Sequence, residues 1–224
     1  MTIRVLIVDD QPMYRAGMTA ILGAADGITV VGEAGNGEEA LSRNRVLNPD
    51  VVLMDVRMPT MNGIEAARLL TRPTGAANIP RVIMLTTFDI DEYVYAALEA
   101  GASGFLLKDA DAHELASAVH VVAQGDSLLA PRITRRLIEK FIESKPAGLT
   151  PTTVFNGLTD REREVFLLIA TGKTNAEIGK TLFVAEQTAK SHVSRIMAKL
   201  QLRDRIHAVM LAYDTGLVRP GSST

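Results

Sequence analysis

Short apolar runs alternate with amphipathic stretches over the first 124 residues of the chain. The stretches have helical periodicity, and Pro12 and the pair Asp111–Glu114 stand where helices are expected to begin. Strands that alternate with helices in this way predict a doubly wound α/β domain with a parallel sheet. The apolar runs predict strands at Ile3–Val8, Thr29–Glu33, Asp50–Met54, Arg81–Leu85 and Gly104–Leu107.

Helical periodicity fills the last part of the chain, residues 158–218. The pairs Thr159–Glu162 and Thr174–Glu177 have capping-box spacing, and each predicts the start of a short helix. A longer helix is predicted over residues 185–200, and a last one over residues 204–213. This order of elements predicts an all-α, four-helix domain that contains a helix-turn-helix.

The segment between these two parts has a different character. Apolar residues recur at helical spacing from Ile133 to Phe141, which predicts a connector helix. Pro146 and Pro151 then interrupt any helix and predict a flexible tether. The sequence therefore predicts an α/β domain, a linker and a helical domain at residues 1–124, 125–157 and 158–218.

The composition is that of a globular protein, with 224 residues, 47% hydrophobic content and no cysteine. No apolar run is long enough to cross a bilayer, and the chain has Asp9 and Asp10 where a signal peptide would remain apolar. Without cysteine, neither a disulfide nor a thiolate zinc site can form. These features predict a soluble, cytoplasmic protein that does not bind membranes.

The net charge of −2 conceals a difference between the two ends of the chain. Residues 1–124 carry 9 Lys and Arg against 16 Asp and Glu, a balance of −7. Residues 158–224 carry 10 against 7, a balance of +3. The two predicted domains are therefore expected to meet different partners.

Four of the predicted strands end in a charged or hydroxyl residue. IRVLIV leads into Asp9 and Asp10, VVLM into Asp55, VIML into Thr86, and FLL into Lys108. In a parallel sheet all these ends lie at one edge, which is where open α/β sheets bind their ligands. Each residue alone is commonly a turn or cap, so the prediction of a site rests on the joint pattern.

Three neighbouring carboxylates raise one another's pKa unless a cation compensates them. The oxygens of Asp9, Asp10 and Asp55 suit Mg²⁺. Asp55 is the candidate nucleophile for a phosphoryl group because it ends the central strand and faces the other two. Lys108 would then pair with the phosphoryl oxygens, and the Thr86 hydroxyl would donate to one of them.

The long helix of the last domain has one apolar stripe, made by Ala189, Val193, Ile196 and Leu200. A polar face with two cations suits a helix in the major groove of DNA, although charge alone favours a solvated face. The preceding helix and turn reverse that preference. The polar face carries Gln187, Lys190, Ser191, Ser194 and Arg195.

The acidic pair at Asp9 and Asp10, DVRMP with Asp55, LTT with Thr86 and GASGFLLKD with Lys108 resemble a response-regulator receiver domain. The whole chain resembles the NarL/LuxR-type (NarL/FixJ family) two-component response regulators. The resemblance implies a flavodoxin-like fold, Mg²⁺, phosphorylation of Asp55 by a sensor histidine kinase, and Thr86 as a switch hydroxyl.

Two further positions follow from the same resemblance. The backbone carbonyl of Arg57, two residues after the acceptor, is implied as a ligand of the metal. Phe105 stands where many receivers carry Tyr, so its ring can turn inward as a switch but has no hydroxyl to hydrogen-bond.

Residues 158–218 are similar to the LuxR-type DNA-binding domain, which implies a dimer on double-stranded promoter DNA. The match implies DNA contacts from Thr188, Lys190, Ser191 and Ser194, and less strongly from Asn175, His192 and Arg195. It also implies a dimer contact from the last helix, through Ala208, Val209, Leu211 and Ala212.

The sequence thus predicts a response regulator that is not an ordinary enzyme and that forms a homodimer when phosphorylated. One alternative is an aspartyl-phosphate phosphatase, although such enzymes place the nucleophile and the acid two residues apart after one strand. Turnover of a phosphomonoester would support it. The other alternative is a constitutive DNA-binding protein, which predicts the same DNA affinity with and without beryllofluoride.

Overall fold

The computed structural model describes residues 2–72, 79–86, 90–125 and 155–218. The chain divides into two compact units, residues 1–130 and 131–224. Most of the predicted linker, including the connector helix from Ile133 to Phe141, lies outside the described residues.

The first unit is built on a sheet of five parallel strands in the order β2-β1-β3-β4-β5. The predicted doubly wound sheet is confirmed, with strand ends within about one residue of those expected from the apolar runs. Asp55 and Thr86 are the last residues of their strands. The strands are β1 (Ile3–Val8), β2 (Ile28–Ala34), β3 (Val51–Asp55), β4 (Arg81–Thr86) and β5 (Gly104–Leu107).

Helices connect these strands, and their starts follow from local chemistry. The predicted capping box at Asp111 and Glu114 is confirmed, and Pro12 is the first residue of its helix. The side chains of Asn36 and Asn62 cap two further helices. The helices are α1 (Pro12–Gly23), α2 (Gly37–Leu47), α3 (Gly63–Leu70), α4 (Ile90–Glu99) and α5 (Ala112–Ala123).

The three central strands form the core of the first unit. Residues 5–8, 51–54 and 82–85 have no solvent exposure. Strands buried on both faces cannot alternate between polar and apolar residues, which explains why they are continuous apolar runs in the sequence. Polar side chains are therefore left to the strand ends, where the predicted site lies.

The second unit consists of helices in the described part of the chain. Both predicted capping boxes, at Thr159 and Thr174, are confirmed. The rings of Phe155 and Phe166 pack in its core at an angle of 45°, with centroids 5.0 Å apart. The helices are α6 (Asp160–Ala170), α7 (Asn175–Leu182), α8 (Glu186–Lys199) and α9 (Arg205–Asp214).

The turn between α7 and α8 needs a special backbone conformation. Phe183 ends α7 in the left-handed region, with φ of 56°, and its side chain is 95% exposed. Gly179 permits the close return of the chain, because a Cβ there would lie 2.9 Å from the Val184 carbonyl oxygen. The turn places α7 and α8 in the helix-turn-helix arrangement predicted from the sequence.

Candidate functional site

Three carboxylates meet at the carboxyl edge of the sheet. Asp9 and Asp10 follow β1, and Asp55 ends the neighbouring strand β3. Each offers an oxygen, and these oxygens lie within 4.8 Å of one another. Asp9 is fully buried and Asp55 is 6% exposed, whereas Asp10 is exposed. The structure thus brings the three predicted acidic residues together, and Asp10 is the one of the three that is exposed to solvent.

Lys108 compensates the two buried carboxylates. Its Nζ lies 2.6 Å from Asp9 Oδ2 and 3.0 Å from Asp55 Oδ2. The other oxygen of Asp9, Oδ1, accepts a hydrogen bond from the Gln11 amide at 2.9 Å. A cation bound to both carboxylates lowers the electrostatic cost of burying them.

The pKa values in this cluster depend on two opposing effects. Burial disfavours the charged forms, and pairing between Lys108 and the carboxylates favours them. Burial raises the pKa of Asp55 above its usual value, although the hydrogen bond and charge of Lys108 pull it down. Burial acts to lower the pKa of Lys108, but its hydrogen bonds to Asp9 and Asp55 outweigh this and leave it above the usual value. Lys108 therefore remains an ammonium group at neutral pH.

The other predicted receiver residues lie around this cluster. Thr86 ends β4, beside β3, and is 7% exposed. The backbone amide of Arg57 donates to the Asp55 carboxylate, while its side chain is exposed. Phe105 lies on β5 with its side chain already buried, at 5% exposure. Asp10 and Arg57 also line an open groove of about 960 Å³ beside the cluster.

The donor set fits a hard divalent cation. Mg²⁺ is bound through oxygen ligands, usually by one or two carboxylates together with water. Asp9, Asp10 and Asp55 offer three such oxygens in one place, and exposed Asp10 leaves room for water on that side. This acidic pocket is of the kind in which receiver domains bind Mg²⁺.

Two further residues of α1 hold this site and were not singled out from the sequence. Arg15 Nη1 donates to the Asp9 backbone carbonyl at 2.6 Å, and its Nε pairs with Glu33 at 3.2 Å. The Tyr14 hydroxyl donates to the Lys108 backbone carbonyl at 2.8 Å. No motif marks either residue, so their proximity to the site is evident only from the fold.

The helix α8 presents the expected polar face. Its apolar stripe is buried through Ala189, Val193 and Ile196. Most of the predicted DNA-contact residues are exposed, and Lys190 and His192 are half-buried. The exposed ones are Thr188, Ser191, Ser194 and Arg195.

Some of these residues are engaged within the unit itself. The Ser191 hydroxyl donates to the Gln187 carbonyl at 2.9 Å, and the Ser194 hydroxyl donates to the Lys190 carbonyl at 3.0 Å. Asn175 is half-buried, and its Oδ1 accepts a hydrogen bond from Arg205 Nη1 at 3.2 Å. Asn175 therefore ties the start of α7 to the start of α9.

Three of the four residues from which a dimer contact is expected on the last helix are buried in their own unit. Ala208 and Ala212 are fully buried and Val209 is 6% exposed, all within the core of their own unit. They belong to the hydrophobic core of their own unit, so a dimer contact from α9 stays a prediction. Leu211 alone of the four is half-buried.

Residues 5–120 match the family described as the response regulator receiver domain. Residues 156–212 match the family described as bacterial regulatory proteins, luxR family. The receiver match covers more than half of the chain, which therefore belongs to the two-component response regulators with a LuxR-type DNA-binding domain. This is a family of transcriptional regulators.

Two similar proteins match nearly the whole length of this chain. The transcriptional regulatory protein LiaR of Bacillus subtilis is 39% identical over 216 residues, which cover 96% of this chain and 99% of LiaR. The response regulator protein VraR of Staphylococcus aureus is 38% identical over 221 residues, which cover 98% of this chain and 100% of VraR.

Solved structures of response regulators are also similar to this chain. The response regulator ChrA of a heme-sensing two-component system is 36% identical, with a TM-score of 0.51 and coverage of 97% of this chain and 99% of ChrA. The receiver domain of the response regulator NarL from Mycobacterium tuberculosis is 38% identical, with a TM-score of 0.52 and coverage of 55% of this chain and 98% of that domain. Among the described residues, no helix is both long enough and apolar enough to span a membrane.

Proposed function

We propose that this response regulator is phosphorylated on Asp55 by a sensor histidine kinase and then binds promoter DNA as a homodimer. The observation that carries the proposal is the position of Lys108 Nζ, 2.6 Å from Asp9 and 3.0 Å from Asp55. The buried Asp55 carboxylate can act as the nucleophile that attacks phosphorus. Its product is an acyl phosphate, and the Lys108 ammonium group beside it can pair with the negative charge of the phosphoryl oxygens.

The chemical step is a transfer between two amino acid side chains. A carboxylate oxygen of Asp55 forms a bond to phosphorus while the bond from phosphorus to the kinase histidine nitrogen breaks. The imidazole leaves with the electron pair of that bond. The groove lined by Asp10 and Arg57 gives the donor a path to this edge of the sheet.

The residues of the pocket take different roles in this step. Asp9, Asp10, Asp55 and the backbone carbonyl of Arg57 would hold Mg²⁺, which when bound offsets the charge of the phosphoryl oxygens. Lys108 exchanges its contact with the Asp55 carboxylate for one with a phosphoryl oxygen.

Thr86 and Phe105 are proposed to transmit the change. The Thr86 hydroxyl would donate to a phosphoryl oxygen, and the Phe105 side chain one strand away would adjust to its movement. Moving a two-state equilibrium from 1:99 to 99:1 takes about 5.5 kcal/mol of differential binding. Charge-assisted hydrogen bonds contribute roughly 1.5–3 kcal/mol each, so two or three contacts made only in the phosphorylated state suffice.

The DNA contacts are proposed on the polar face of α8 and at Asn175, the first residue of α7. Thr188, Lys190, Ser191 and Ser194 would read base edges or grip phosphates, with smaller contributions from Asn175, His192 and Arg195. The hydroxyls of Ser191 and Ser194 are already satisfied by backbone carbonyls, so they lose little when DNA is absent. The half-buried Asn175 is expected to act mainly by positioning α7.

The phosphorylation is tested with a labelled small phosphodonor such as phosphoramidate and the full chain. Wild type is expected to incorporate the label in the presence of Mg²⁺, and Asp55→Asn is expected to incorporate none. Asp111→Asn is the matched control, because Asn preserves the helix cap at Asp111 while removing one carboxylate. Label that persists in Asp55→Asn would refute the assignment.

The coupling to DNA is tested with beryllofluoride, which mimics the phosphoryl group. Wild type is expected to become dimeric and to bind its operator more tightly when beryllofluoride is present, whereas Asp55→Asn is expected not to respond. Equal affinity with and without beryllofluoride would favour the constitutive DNA-binding alternative.

A further inference from the structure

Tyr14 lies in the first turn of α1 and contacts a residue 94 positions further along the chain. Its hydroxyl donates to the backbone carbonyl of Lys108 at 2.8 Å. The Nζ of the same lysine lies 4.9 Å from the centroid of the Tyr14 ring. One tyrosine therefore contacts both the main chain and the charged end of Lys108.

The hydroxyl contact completes the anchoring of the Lys108 main chain. The strand β5 ends at Leu107, so Lys108 lies in the turn that follows. The Lys108 amide donates to the Thr86 carbonyl at 2.8 Å, which ties it to β4. The carbonyl of Lys108 is tied to α1 by Tyr14, so the main chain is held from two sides.

The ring contact acts on the other end of the side chain. A lysine side chain is flexible and loses much rotamer freedom when it is ordered. An aromatic face attracts the ammonium through its quadrupole and shields one side of it from water. Its attraction also persists when Asp55 is phosphorylated, because the ring is not a carboxylate that changes charge or position in the reaction.

We propose that Tyr14 is a positioning residue for Lys108 in phosphoryl transfer to Asp55, an inference that rests on the proposed function. The Tyr14 hydroxyl holds the main chain of Lys108, and the Tyr14 ring holds the Lys108 ammonium group. The alternative is that Tyr14 is only a packing residue, since its side chain also borders the core of the first unit. A packing role acts on the whole unit, whereas a positioning role acts only through Lys108.

The first experiment is a double-mutant cycle in the full chain. The rate of Asp55 phosphorylation by phosphoramidate is measured for Tyr14→Phe and Tyr14→Leu, each alone and combined with Lys108→Ala. We expect Tyr14→Phe to slow the reaction about fivefold, as the loss of one hydrogen bond does, and Tyr14→Leu to slow it about twentyfold. With Lys108→Ala both effects should shrink to less than about twofold.

The matched control is Met18→Leu. Met18 is a buried residue of α1, one turn after Tyr14, and does not belong to the site. This volume-conserving change disturbs the packing of the same helix and is expected to leave the phosphorylation rate unchanged.

The second experiment needs neither metal nor phosphodonor. Lys108 is acetylated with acetic anhydride in metal-free protein, and its rate is compared with that of exposed Lys180 in the same molecule. The Lys108 side chain is only 13% exposed and lies against the Tyr14 ring. We expect Tyr14→Leu to raise the ratio of the Lys108 acetylation rate to the Lys180 acetylation rate about fivefold, whereas Met18→Leu leaves this ratio unchanged.

The outcomes separate this inference from the function on which it rests. Tyr14 effects that remain undiminished with Lys108→Ala, or an unchanged labelling ratio in Tyr14→Leu, would overturn the positioning role. Wild type that accepts no phosphoryl group would contradict the proposed function instead. In that case the labelling ratio still tests whether Tyr14 holds the Lys108 side chain.

Discussion

Gly63 packs directly against the backbone of Asp55. A Cβ at Gly63 would overlap with the carbonyl oxygen of Asp55, and the Gly63 amide donates to the Val56 carbonyl at 3.0 Å. The first residue of α3 is therefore held against the end of β3. Only glycine allows this approach, so the position of the candidate acceptor depends on a residue without a side chain.

We expect Gly63→Ala to destabilise the first unit by about 1–3 kcal/mol and to slow phosphorylation of Asp55, because the added methyl group must displace backbone atoms. The free energy of unfolding is measured by denaturant titration. The control is Gly17→Ala within α1, where a Cβ meets nothing within 4 Å. The control is expected to stabilise by roughly 0.5–1 kcal/mol, and equal effects of the two changes would contradict the close contact.

Thr60 has a left-handed backbone, a conformation that it shares with Asn48 among the described non-glycine residues of the first unit. Its φ is 68°, a conformation that is strained for a β-branched residue. We expect Thr60→Asn to raise the free energy of unfolding by about 1 kcal/mol, because Asn tolerates this region. Thr60→Val keeps the branch and should give no gain. A Thr60→Asn protein no more stable than wild type would argue against strain.

Glu162 makes the stability of the second unit depend on pH. Its hydrogen bond to Lys199, at 2.6 Å, and that to the Thr159 amide, at 2.8 Å, lower its pKa from 4.5 to about 2. Between these pH values the unfolded chain binds more protons than the folded one. The stabilisation is therefore complete above about pH 4.5 and is lost as the pH falls towards about 2.

We expect Glu162→Gln to weaken this acid dependence, because the variant has no carboxylate to protonate. The free energy of unfolding is measured from pH 5 to about pH 2. Lys199→Met should weaken the dependence as well, since Lys199 is the largest cause of the lowered pKa. Glu186→Gln is the control, because Glu186 is an exposed carboxylate of the same unit. Acid profiles that are identical in wild type and Glu162→Gln would exclude this role.

Lys190 is proposed to contact a DNA phosphate. We expect Lys190→Ala to weaken operator binding and to reduce the slope of log K against log salt by about one, because one fewer counterion is released. Arg45→Ala removes an equal charge from an exposed position in the other unit and should leave the slope unchanged. A slope that Lys190→Ala does not alter would argue against a contact between Lys190 and a DNA phosphate.

The sequence alone predicted the elements and the edge of the sheet at which the site lies. Strands buried on both faces are continuous apolar runs, and a capping box joins residues only three positions apart. These are local signals. Because parallel strands bring all their carboxyl ends to one edge, the sequence alone predicts that the residues after the strands meet there. Asp9, Asp10, Asp55 and Lys108 do lie together.

The tertiary structure alone decided which distant residues touch. Tyr14 contacts Lys108 and Gly63 lies against Asp55, and no local pattern marks either pair. An apolar stripe such as that of Ala208 and Ala212 predicts a buried face but not what covers it, and here the same chain does. The physical reason is that helix and strand periodicity depends on neighbours along the chain, whereas packing depends on shape and charge between segments that meet only after folding.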